Sequence, residues 1–133
     1  MSYPGFKTDT RNPMKYARNW GSAKSGVGHW WIQRLTAAAL IFLGLWFVCT
    51  VLSFLGADYA TARQVLAQPW NVVLMILLVT VGFWHAQLGL QVVIEDYVHT
   101  RWKEVVLMVV IKFLAVLLAL VSALAVLRVA FGG

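Results

Sequence analysis

His85 is the residue best placed to do chemistry, because it lies deep in a long apolar stretch where an ionisable group is costly. Gly82 and Gly89 stand three and four residues to either side of it, on the same helical face. Two glycines beside an imidazole leave a shallow channel through which a flat group can approach the helix, as an axial haem ligand requires. The same pattern also suits a helix–helix contact, with glycines for close packing and the histidine hydrogen-bonded across it. One histidine supplies one ligand, so a six-coordinate haem would take its second ligand from another chain.

Asp96 follows His85 by eleven residues. On a helix the two are within about 20° of each other around the axis and about 16 Å apart along it. Asp96 and Tyr97 therefore belong at a membrane surface, above the face that carries His85. A carboxylate beside a phenol suits hydrogen bonding to a polar head group that exchanges protons, and equally a solvated loop acid beside an interfacial tyrosine. Arg34 lies about one turn inside the first apolar run. It can snorkel to lipid head groups, neutralise a haem propionate or polarise a quinone carbonyl. His29 just before it shares that role or faces water. Lys112, two turns into the third run, can snorkel back to the same surface, and His99 is interfacial.

The elements that must position these residues are legible from composition. Of 133 residues, 61% are hydrophobic and 12% charged, against about 45–50% and about 25% in soluble domains, so the solvent is lipid. The chain has no room for a soluble catalytic domain beside its apolar runs. Leu35 to Leu55 carries no charge, and at about 1.5 Å per residue it crosses a hydrocarbon core of about 30 Å. Trp30 and Trp31 mark the interface at its start. Gly56 to Pro69 reads as a short external loop. A second run opens at Trp70 and ends at Ile94, a polar turn follows, and a third extends from Val105 to about Leu127. Cys49 makes no intrachain disulfide, being the one cysteine, and reads as a small hydrophobe buried in its helix.

The expectation is thus an all-α integral membrane protein with three transmembrane helices, near 30–55, 70–95 and 105–128, within a membrane domain 29–133. Residues 1–28 form a cytoplasmic leader, interrupted by Pro4 and Pro13, and not a cleaved signal peptide. Net charge is +6, and Lys7, Arg11, Lys15, Arg18 and Lys24 all precede the first run. With Arg101 and Lys103 they fall on one side, against Arg63 and Arg128 on the other. The positive-inside rule then puts the N-terminus in the cytoplasm and the C-terminus in the periplasm. With no folded basic surface outside the membrane, nucleic acid is not an expected partner; lipid is.

The segment His85-Ala-Gln-Leu-Gly-Leu-Gln-Val-Val-Ile-Glu-Asp96-Tyr97-Val resembles the second-span motif of the small hydrophobic membrane-anchor subunits of succinate dehydrogenase: a histidine, a glycine four residues on, and an Asp-Tyr pair eleven residues after the histidine. Upstream, Gly21-Ser22-Ala23-Lys24-Ser25-Gly26 with His29, then Arg34-Leu35-Thr36-Ala37, is similar to the leader and first-span entry of bacterial members. The resemblance covers nearly the whole chain. It implies that the anchor packs with a second three-helix anchor (cytochrome b) subunit and that the two share a haem b. It also implies flavoprotein and iron–sulfur partners that pass electrons from succinate to ubiquinone, in the bacterial inner membrane in preference to the mitochondrial one. It matches His85 to the axial ligand of the haem iron and Arg34 to a basic residue near the haem propionates and quinone pocket, while Gly82, Gly89 and His29 are expected beside the haem from their positions. Tyr97 and Asp96 match the quinone-binding residues, and the chain alone is expected to have no activity.

Three other readings compete with it: a haem-free scaffold or assembly protein, an anchor of a quinol:fumarate reductase, and a small ion or proton channel with His85 and Asp96 as relays. The alignment of Gly82, His85, Gly89 and Asp96 on one face favours the haem-binding anchor.

Overall fold

The structure, a computed structural model, describes residues 23–132, all of them helix or short connection. Helix α1 spans Ala23–Ser53, α2 Tyr59–Leu66, α3 Pro69–Tyr97 and α4 Arg101–Phe131. Three of the four, α1, α3 and α4, are long and apolar enough to cross a membrane. Most of the expected leader, including Lys7, Arg11, Lys15 and Arg18, lies outside the described residues.

Helix boundaries follow local chemistry. α1 is already helical at Ala23, the first described residue and seven residues ahead of Trp30, since nothing between Ala23 and His29 forbids helix. It unwinds after Ser53 through a turn whose Gly56 has φ +84°, a left-handed conformation that favours glycine. The segment expected to be a plain loop contains α2. Asp58 caps it by accepting a hydrogen bond from the Thr61 N–H at 3.0 Å. α3 begins with Pro69 in its first turn, where the missing N–H costs nothing.

α3 is the central helix. It packs against α1 on one side and α4 on the other, and α1 and α4 do not meet. Very little is buried: Val72, Leu88 and Ile94 on α3, and Thr36 on α1. Large apolar side chains such as Phe42, Leu45, Phe113 and Leu117 point outward, as they do where the surroundings are acyl chains or other membrane helices. Cys49, expected to be buried, is exposed on α1, since that helix is covered only along its α3-facing stripe.

At the end opposite to His29 and Tyr97, α2 ties α3 and α4 together. Asn71 donates from Nδ2 to the Val65 carbonyl at 2.7 Å. Arg63 donates from Nε to the Val129 carbonyl at 3.4 Å and from Nη2 to the Gly132 carbonyl. The last carbonyls of α4 have no partner within the helix, and a guanidinium satisfies both their hydrogen-bonding need and the negative end of the helix dipole.

Candidate functional site

α1 and α3 run antiparallel, and their seam is read from three contacts in register. Gln33 lies against Gly89, Thr36 against His85, and Leu40 against Gly82. On α1 the residues His29, Gln33, Thr36 and Leu40 follow at spacings of four, three and four, so they form one stripe. His29, Gln33 and Thr36 make that stripe polar at one end.

His85 is half-buried, near the middle of α3. Its Nδ1 lies 2.8 Å from the Thr36 Oγ1. The same Oγ1 lies 2.8 Å from the Ile32 carbonyl and 3.1 Å from the Gln33 carbonyl of its own helix. Thr36 is only 7% exposed, so this hydroxyl has no competing solvent. Among the described residues, the Nε2 of His85 has no hydrogen-bond partner. No group of three or more His, Cys, Asp or Glu capable of holding a metal occurs among the described residues, so a metal at Nε2 would take its remaining donors from elsewhere.

The two glycines face α1, but α1 does not require them. A Cβ at Gly82 would come 4.0 Å from the Leu40 Cδ2, and one at Gly89 would come 3.9 Å from the Gln33 Nε2. Both distances are ordinary van der Waals contact, so alanine fits the seam. Close approach of α1 therefore does not account for glycine at these positions.

Two further polar atoms on the stripe, the His29 Nε2 and the Gln33 Oε1, are buried with no hydrogen-bond partner among the described residues. Buried polar groups are normally paired, so these two atoms stand out on the stripe. Arg34 is placed differently. It is exposed, with its guanidinium 5.1 Å from the Trp30 ring centroid, and lies about 200° around α1 from Thr36. The structure thus brings His29 to the seam with Thr36 and leaves Arg34 on the other side of the helix.

Asp96 and Tyr97 occupy the last turn of α3, both exposed, Tyr97 at 78%. Glu95 beside them ends a ladder along α3, in which Gln87 donates to Gln91 at 3.4 Å and Gln91 to Glu95 at 2.8 Å. Gln87 also lines a cavity of about 410 Å³ between α3 and α4 with Thr80, Phe83, Trp84 and Lys112. Lys112 is exposed there, and His99 lies beyond α3 with its Nδ1 3.2 Å from the Tyr97 carbonyl. Sequence reasoning missed Gln33, Thr36 and the glutamine ladder. The available signal was polar residues recurring at helical spacing inside otherwise apolar runs.

A family model for the transmembrane subunit of succinate dehydrogenase and fumarate reductase matches residues 8–119. The chain belongs to that family. Its relatives include the succinate dehydrogenase hydrophobic membrane anchor subunit of Rickettsia bellii, 36% identical over 109 residues, covering 82% of this chain and 87% of the relative. The corresponding subunit of Rickettsia conorii is 35% identical over 111 residues (81% and 88%), and that of Paracoccus denitrificans 33% over 115 residues (85% and 88%). No solved structure matches. Membership of this transmembrane-subunit family agrees with three long apolar helices, and the matched span contains His85, Asp96, Tyr97 and the whole α1 stripe.

Proposed function

We propose that this chain is a membrane-anchor subunit of a succinate:quinone oxidoreductase, contributing His85 as one axial ligand of a shared b-type haem and Asp96 and Tyr97 to the quinone site. The observation that carries the reading is the arrangement at His85: one ring nitrogen is held by Thr36, the other is unpartnered, and neighbouring glycines remain that helix packing does not demand. His85 would hold the haem iron through its Nε2.

When bound, the haem supplies a one-electron carrier inside the membrane. The chain's own part would be to hold and orient the imidazole that presents Nε2, through Thr36. His29 offers a buried imidazole nitrogen to a propionate on the seam, and Arg34 offers a charge to a group arriving from the opposite side. Quinone is the substrate. Reduction adds two electrons and two protons, and Tyr97, at the end of α3, can donate a hydrogen bond to a carbonyl oxygen while Asp96 passes protons from water. The same end carries His29 and Lys24, and the positive-inside rule assigns it to the cytoplasm. The partners are a second anchor subunit supplying the other haem ligand, with iron–sulfur and flavoprotein subunits at the cytoplasmic face of the bacterial inner membrane.

The test is to purify the complex through a tag on this chain and assay succinate–quinone reduction for wild type, Tyr97→Phe and Asp96→Asn. The expected result is co-purification of flavoprotein and iron–sulfur subunits in all three. Both variants should lose about a hundredfold or more in quinone reduction, the range of a lost proton-transfer group. Succinate oxidation by an artificial acceptor should stay unchanged. Absence of the partner subunits from wild type would contradict the proposal.

A further inference from the structure

We infer that Thr36 is a positioning residue that fixes the tautomer and ring plane of His85, leaving Nε2 as a lone pair ready for a metal; the inference rests on the haem-binding reading above. A threonine hydroxyl has one proton and two lone pairs. At 2.8 Å from the Ile32 carbonyl and 3.1 Å from that of Gln33, the proton of Thr36 is directed to its own helix. Its oxygen then accepts from His85, 2.8 Å away, so the proton of the neutral imidazole lies on Nδ1. The opposite assignment makes one hydrogen bond instead of two. It also leaves an Nε2–H donor without a partner among the described residues, in a region where water does not compensate.

The consequence is chemical. A metal-bound histidine needs its other nitrogen protonated and held, because that hydrogen bond sets the ring orientation and raises the basicity of the ligating nitrogen. Thr36 does this from another helix, so the α1–α3 seam and the state of the ligand are coupled. The backbone bonds of Thr36 hold its hydroxyl in one rotamer, which makes the acceptor rigid. Thr36 thereby sets the direction in which the ring faces.

The experiment compares wild type, Thr36→Ser, Thr36→Val and Thr36→Ala in the purified full complex. It reads haem content, the ferric low-spin electron paramagnetic resonance signal and the haem midpoint potential. Thr36→Ser keeps the acceptor and should match wild type in all three. Thr36→Val keeps the volume and removes the acceptor; it should shift the resonance signal and raise the midpoint potential, since a less basic imidazole stabilises ferric iron less relative to ferrous. Thr36→Ala removes the acceptor without a β-branched clash and should shift both in the same direction, which decides the matter if the valine variant does not assemble. Haem signals in the valine or alanine variant identical to wild type would overturn the inference. A wild-type complex without haem would instead overturn the reading on which it rests.

Discussion

At the scale of single residues, the account depends on what His85 touches and what it leaves open. Its Nδ1 is bonded to Thr36, while Gly82 and Gly89 border it without being forced by α1. That distinction makes a prediction. Alanine at either glycine meets only ordinary contacts with Leu40 or Gln33, so Gly82→Ala and Gly89→Ala should leave the amount of assembled complex unchanged within about 20%, as expected of changes costing less than about 0.5 kcal/mol. If the glycines clear a path for the porphyrin, the same variants should lower haem content per complex, measured as a ratio to covalent flavin. Equal haem content in all three proteins would remove that role. His85, Asp96 and Tyr97 were legible in the sequence because their spacing alone sets them on one helix at one end and the middle of a span. Thr36 and Gln33 were not, because their roles depend on which stripe of α1 turns toward α3, and a run apolar on every side does not reveal it.

At the scale of elements, the three long helices could be located from hydropathy, since lipid demands a continuous apolar run and helical backbone pairing. The ends were less legible. Polar residues before Trp30 continue α1 without contradicting the membrane boundary, and α2 depends on Asp58 as a cap inside a segment too short and polar to stand out. Hydrogen bonds from the Thr61 side chain and backbone hold the Asp58 carboxyl below its ordinary pKa. A lowered folded value means that its contribution to α2 is present above the unfolded carboxylate pKa and is lost as pH falls through the folded one. Amide exchange at Thr61 should therefore accelerate relative to the rest of α2 on acidification, and Asp58→Asn should weaken that dependence. A pH-independent protection ratio would contradict it. Arg63 acts at the same end, and Arg63→Ala should speed amide exchange in the last turn of α4 by up to about fivefold, corresponding to about 1 kcal/mol. Exchange in the middle of α4 should not change.

For the whole molecule, the row of helices α1–α3–α4 leaves the faces that the proposed partner subunits would cover. Only four of its described residues are buried, and the long face of α4 is open along its length. Three helices are long and apolar enough to cross the bilayer, and the proposed topology, with the first end in the cytoplasm, rests on the basic residues before α1 and in the α3–α4 turn. Reporter fusions test this directly. A periplasmic-active phosphatase should be active when fused after Gly133 and inactive when fused before Met1 or within His99–Thr100. The reverse pattern would contradict the orientation and with it the placement of Tyr97 on the cytoplasmic side.

The central claim is that His85 binds haem iron, and the most direct test is the reduced-minus-oxidised absorption spectrum of the purified complex, wild type against His85→Ala. The account predicts a b-type signal in wild type that is lost or markedly altered in the variant, with the flavoprotein and iron–sulfur subunits still present. A wild-type b-type signal that the variant retains unchanged would contradict it.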